Sequence, residues 1–277
     1  MTTAPGISGV GPLLRDWRQR RRLSQLDLAL DAGVSARHLS FVETGRSRPS
    51  RELLLHLAER LEIPLRDRNA LLLAAGYAPM YSETPLDGAD LAPVRGAIDR
   101  ILASHEPYPA VVVNRYWDLV SANRPATALL SALASPGVLE PPVNVLCASL
   151  HPEGLAPYIV NFGEYAQHLL HRLDRQAASS GDPEFARLAE ELRSYPNVPG
   201  RPLPPDDPAS RLFVPLVLDI EGRRLSFFST IATFGTALDI TIAELAIESF
   251  FPADNPTVES LRRALARADG ASRAPTT

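Results

Sequence analysis

The sequence predicts two domains: an all-α head of five helices, then an α+β body on a five-stranded antiparallel sheet. Three observations carry this expectation. From Gly11 to about Pro79, apolar residues recur at three- and four-residue spacing with only short breaks. A polar, turn-rich stretch follows at 80–92. Beyond it the chain reads as a helix, a hairpin, further helices and three strand-like segments, an order that suits a sheet with helices on one face. The expected division is a flexible N-terminus at 1–10, the head at 11–79, a linker at 80–92, the body at 93–266 and a flexible tail at 267–277. At 277 residues and 45% hydrophobic composition, the chain can bury a core in each domain.

In the head, helix one is expected from Pro12 to Arg22, with Leu13, Leu14 and Trp17 inward. Ser24 is a good N-cap for Gln25 to Ala32, and Gly33 supplies the tight turn after it. Ser35 caps Ala36 to Glu43, and Ser50 caps Arg51 to Leu61 with Pro49 just ahead. Pro64 starts a last helix that runs to Ala75 and is ended by Gly76.

In the body, Pro93 to Ser104 is an amphipathic helix, residues 109–114 and 117–123 form a hairpin, and Arg124 to Leu133 is helical. A long helix is expected over Pro152 to Ala177, on the stripe Leu155, Ile159, Phe162, Ala166, Leu169 and Leu173. Pro183 to Tyr195 is a further helix, ahead of a Pro-rich loop at 197–205. Strands at 212–220, 223–234 and 239–249 close the domain, which has a PAS-like order.

The formal net charge is −4, but it is unevenly spread. Residues 1–51 hold nine arginines against four acids, a local +5, so the remainder carries −9. The two parts suit different partners. All 28 basic residues other than histidine are Arg, and genome composition is the plain explanation. No membrane-length apolar run or export signal is present, so a cytoplasmic location and no membrane partner are expected. The single Cys147 cannot form an internal disulfide and lies in an apolar stretch that suggests burial.

The segment Gln25 to Val42 carries the functional reading. Two short helices that cross steeply need a small residue at the contact and an unstrained turn, and Ala29 and Gly33 meet those needs. That packing leaves Ser35, Ala36, Arg37, Ser40 and Phe41 on an outward face shaped for a DNA major groove. Arg46, Arg48 and the Arg-rich end of helix one, with Arg20, offer cations for phosphates on either side. The run Leu23-Ser24-Gln25, Ala29, Gly33-Val34-Ser35, Leu39-Ser40 and Glu43-Thr44-Gly45 through Ser50 resembles the Cro/repressor-type helix-turn-helix of the XRE family. The resemblance implies that Gln25 touches a phosphate, that Arg37 is the chief base reader, and that Arg18 and Glu43 tie helix one to helix three. Ala36 and Phe41 stand where the family often has amides, which shifts base reading toward Arg37 and thymine-methyl contacts.

Over almost the whole chain, the order of Tyr116-Trp117-Asp118, Asn123, His151-Pro152, Leu170-His171-Arg172, Tyr195-Pro196 and the run from Asp239 to Asp254 resembles the MmyB-like regulators. That family joins a helix-turn-helix to a PAS-like ligand-binding domain. The resemblance implies a double-stranded DNA operator as partner and a pocket able to hold a fatty-acid-like molecule, with no other cofactor. A homodimer is expected, because one helix-turn-helix reads only a few base pairs. The strongly apolar inner face, with Phe213, Phe227, Phe228, Ile231 and Phe234, points to a lipophilic ligand. Candidate ligand contacts are Tyr158, Phe162, Tyr165, Leu169, Arg172, Arg193, Phe228 and Ile231, with Arg172 or Arg193 to meet an acid head group. Ordinary surface ion pairs are the plainer reading of both arginines. His168, His171 and Asp174 have chelating spacing on one helix but no second cluster, so no metal is expected. Hydrolase and phosphate-loop motifs are absent, so no catalytic residue and no enzyme activity are expected. The alternative to a sensor is a solid C-terminal module for dimerisation or protein interaction.

Overall fold

The computed structural model describes residues 9–200 and 214–272. Phe213, the start of the expected strand at 212 and most of the Pro-rich loop lie outside the described residues. The described chain divides into two compact units. One holds the residues up to Pro85 together with Gly235–Ala243, and the other holds Leu86–Phe234 and the residues from Glu244 onward.

The first unit contains α1 (Val10–Arg20), α2 (Gln25–Asp31), α3 (Ala36–Glu43), α4 (Arg51–Arg60) and α5 (Leu65–Ala74). Ser24 and Asp27 form a reciprocal capping box at α2, while Ser35 and Ser50 accept from the third backbone N–H of α3 and α4. Each such cap contributes about 1 kcal/mol. Gly33 turns the chain at φ +64°, a conformation that carries no penalty for glycine. Leu14, Trp17, Leu28, Ala29, Leu39, Val42 and Leu57 pack into one core. At Gly11, a β-carbon would lie 2.5 Å from the Glu43 carbonyl oxygen and 2.6 Å from that of Val42, so only glycine lets α1 seat against the end of α3.

This unit is not built from one continuous stretch. Asn69 on α5 holds residues 80–81 through its side-chain amide. Asp239 then accepts hydrogen bonds from the Ser82 hydroxyl at 2.9 Å and from the Thr84 hydroxyl at 2.7 Å and backbone N–H at 3.1 Å. Asp239 also accepts from the Thr241 N–H at the start of α11 (Ile240–Ala243), where Ile240 is buried. The expected strand at 239–249 is therefore wrong in its first half. The Thr- and Ile-rich sequence favours strand locally, but an aspartate cap and burial of Ile240 in the head hold it as a helical turn.

The second unit is a five-stranded antiparallel sheet of β1 (Ala110–Val113), β2 (Leu119–Ala122), β3 (Leu216–Ile220), β4 (Arg223–Thr233) and β5 (Ala246–Pro252), in the order β2-β1-β5-β4-β3. Its helices are α6 (Ala92–Ser104), α7 (Arg124–Leu133), α8 (Val145–Leu150), α9 (Phe162–Ser180), α10 (Pro183–Ser194) and α12 (Asn255–Ser272). Helices cover both faces rather than one. Ile98 and Leu102 of α6 pack with Ala110, Val112 and Ile247 on one face. On the other, Val111, Val113, Leu218 and Phe227 meet α7 to α10.

Three further expectations change. The long helix begins at Phe162, not Pro152, because the backbone of 159–161 is committed to the sheet edge. The Val160 N–H donates to Val217 O, Ile159 bridges Leu218, and Asn161 both donates to Pro215 O and accepts from the Val217 N–H. Residues 267–272, expected as loose tail, continue α12. The expected linker at 80–92 is also ordered: its first part belongs to the head, and Leu91 is buried beside α6.

Candidate functional site

The first candidate surface is α3. Leu39, Val42 and Glu43 are buried, which turns Ser35 and Arg37 to solvent and leaves Ala36, Ser40 and Phe41 half-buried beside them. The Arg37 guanidinium sits 5.3 Å from the centre of the Phe41 ring, a cation–π contact that braces its long side chain. Ser35 is engaged as the cap, and its oxygen accepts the His38 N–H.

Beneath this face lies a closed polar cluster. Arg18 Nε donates to Glu43 Oε1 at 2.7 Å and Arg18 Nη2 to Oε2 at 2.9 Å, while Nη1 bonds Leu23 O at 2.7 Å. The hydrogen bond donated to Glu43 is also the leading reason the Arg18 guanidinium holds its proton beyond the usual range. Gln25 Nε2 donates to Glu43 Oε2 at 2.7 Å, so this side chain, expected at a phosphate, is engaged at the junction of α1, α2 and α3.

The expected phosphate cations differ among themselves. Arg46 is exposed after the turn that follows α3. Arg20 is ion-paired with Asp16 and stacks on Trp17. Arg48 donates to Ala75 O at 2.8 Å, at the end of α5, and lies over Tyr77. Its guanidinium is thus partly committed to the fold.

The second candidate site is a cavity of about 60 Å³ between the sheet and α7 to α9, lined by Leu129, Leu130, Leu146, Leu155, Leu218 and Phe227. That is room for roughly four waters, so a ligand of more than a few heavy atoms must widen the space as it enters. Its polar end is formed by Tyr165, Arg172 and Glu248, and a pendant space of about 10 Å³ continues past Val214, His168 and Ser229.

Arg172 Nη1 lies 3.6 Å from Glu248 Oε1, an ion pair too long for a hydrogen bond. Among the described residues, Arg172 Nε and Nη2 are buried without a hydrogen-bond partner. Trp117 supports the guanidinium from one side at 3.9 Å, and its indole N–H is fixed by Gln176 Oε1 at 2.9 Å. That indole is aimed from a left-handed backbone, φ +69°, which is costly for an aromatic residue. The Asn114 side chain holds it by accepting from the N–H groups of Tyr116 and Asp118. Glu248 Oε1 accepts the Ser229 hydroxyl at 2.9 Å. Burial, followed by the charge of Glu248, keeps the Tyr165 phenol protonated far above its ordinary range.

Of the residues expected at a ligand, Tyr165, Leu169 and Arg172 line this cavity. Tyr158 and Phe162 are half-buried against the same core but do not line it, because both precede the part of α9 that faces the sheet. Arg193 is excluded. It stands on the surface of α10 and pairs with Asp174 at 2.6 Å. Phe228 points to the opposite sheet face, stacked on Phe251, and Ile231 is 44% exposed near the end of β4.

Glu248 went unnoticed in the sequence. Its signal was a charged residue alternating with Ala246 and Phe250, at an inward position of an apolar strand. Cys147 is half-buried rather than buried. Burial first, with Glu191 nearby, raises its thiol to about 11, so it is a poor nucleophile.

Among the described residues no three His, Cys, Asp or Glu side chains converge as a metal set, and no helix is long and apolar enough to cross a membrane. A helix-turn-helix family model matches residues 14–67, and the model described as the MmyB-like transcription regulator ligand binding domain matches 94–264, more than half of the chain. No curated protein matches it. Both families are of regulators, not enzymes. A DNA-reading head joined to a ligand-binding body is what the two matched segments have in common with the geometry of α3 and of the cavity, and the chain belongs to the MmyB-like transcription regulators, DNA-binding proteins with a ligand-binding domain.

Proposed function

We propose that the chain binds a two-fold operator as a homodimer, reads bases chiefly through Arg37, and has its operator affinity set by a lipophilic small molecule held between the sheet and α9. The observation that carries this reading is the apolar cavity closed at one end by a buried arginine with unpartnered N–H groups. A solid structural domain has little reason to leave buried donors open, whereas a ligand would satisfy them. For the ligand to regulate, it must bind two states of the protein unequally.

Selection of binding sites from random duplexes tests the DNA half. The Arg37→Ala variant should lose preference at one position of each half-site, by about 1–3 kcal/mol. An unchanged preference would overturn the assignment of α3. Sedimentation of the protein with selected duplex should show two chains per site.

The small size of the cavity favours one other reading, in which the body is an interaction module without a ligand. Solvent extraction of purified protein followed by mass spectrometry separates the two. A stoichiometric lipophilic molecule supports the sensor, and its absence together with no binding of added amphiphiles supports the module.

A further inference from the structure

The polar end of the cavity is already neutral as a unit. Arg172 contributes one positive charge, Glu248 faces it with one negative charge, and Ser229 donates to that carboxylate. Tyr165 and the exposed His168 of α9 also line this end, with Glu164, His171 and Arg175 acting on His168, while the residues contributed by β1, β3 and α7 are apolar. A free fatty acid would therefore bring a second carboxylate beside a buried first one. Like charges at such separation cannot both stay ionised in a dry site, so one must take up a proton.

What the site leaves open is different. The Nε and Nη2 donors of Arg172 need an acceptor, and Glu248 can still accept from a donor. Resting on the sensor reading above, we propose that the cavity takes an acyl compound with an uncharged amide-type head, whose carbonyl accepts from Arg172 and whose N–H donates to Glu248. The acyl chain then runs inward past Leu146, Leu155 and Leu218. The protonated Tyr165 phenol adds a donor on the same side. Arg172 and Glu248 thus act together as a filter against free acids, with Trp117 fixing the guanidinium in place.

The test is calorimetric titration of the full-length protein with two matched probes, octanamide and octanoic acid, at about pH 6 and about pH 8. Octanamide should bind at least tenfold more tightly than octanoic acid at the higher pH, and its own affinity should change little between the two pH values. Octanoic acid should gain up to about tenfold per unit as pH falls, because its binding takes up a proton. The octanamide series at the same pH values absorbs any effect of His168. Glu248→Gln should raise octanoate affinity at least tenfold and remove its pH dependence, while weakening octanamide severalfold because its N–H loses a charged acceptor. If octanoate binds as tightly as octanamide at about pH 8 without proton uptake, the head-group assignment is overturned and the sensor reading stands. If neither probe binds the wild-type protein, both fall. The wild-type pH comparison decides the matter even if the variant fails to fold.

Discussion

A buried arginine–glutamate pair lies in the head and another lines the cavity of the body, and the two are built differently. In the head, Arg18 and Glu43 meet through two hydrogen bonds of 2.7 and 2.9 Å, and Leu23 O and Gln25 occupy further valences. In the body, Arg172 and Glu248 are 3.6 Å apart, and Nε and Nη2 of the arginine have no hydrogen-bond partner among the described residues. Burying an ion pair is tolerable when every donor and acceptor is used, and costly when some are not. The closed pair is therefore a fastening, while the open one keeps hydrogen-bonding capacity in reserve for something that arrives later.

The largest effect should come from breaking the closed pair. Glu43→Ala strands a buried guanidinium and should cost about 3–5 kcal/mol of head stability. Urea unfolding in a Trp117→Phe background, where Trp17 alone reports, measures it; a loss under about 1 kcal/mol would mean that the pair is dispensable. Gly11→Ala should cost about 1–3 kcal/mol by the same assay, because the new methyl meets backbone oxygens that cannot move aside.

Glu248→Gln opens the other side of the comparison and should cost only about 1 kcal/mol, since Arg172 already tolerates open donors. An equal loss from Glu43→Gln and Glu248→Gln would erase the distinction between the two pairs.

The smallest effect is a pH dependence. Partial burial works against the Asp239 charge, but the hydrogen bonds from Thr84 and Ser82 outweigh it and hold the carboxyl below its ordinary value. The stabilisation is therefore present above the ordinary aspartate range and lost as pH falls below about 4. The Tm gap between wild type and Asp239→Asn should stay constant from about pH 8 to 5 and close below that range.

The contrast also explains what could be read in advance. The limits of α3 were legible because Ser35 and Gly45 punctuate it locally, and Arg18 with Glu43 followed from a resemblance that fixes both positions. The five-strand content of the body was legible from alternation. Its face assignments were not, because the turn at α11 moved the start of β5 to Ala246 and only then set which residues face inward. Phe228 looked like a wall of the pocket and Glu248 did not, although the register puts them on opposite faces in the other sense. The helix α8 escaped notice because six residues hold too little periodicity, and the Asn144 cap that starts it is recognisable only with its tertiary partners in view.

The stretch Gly235–Ala243, which completes the head from deep within the body's sequence, bears on how such proteins can be recombined. A head cut at Pro85 and grafted onto a foreign body leaves Ser82 and Thr84 without their carboxylate and removes the buried Ile240. Functional chimaeras should therefore require both strands of the exchange, the N-terminal 85 residues and the nine-residue insert, swapped as a matched set. A head and body drawn from different relatives would then be compatible only where that insert has stayed matched to its host, so inheritance is expected to keep the two together.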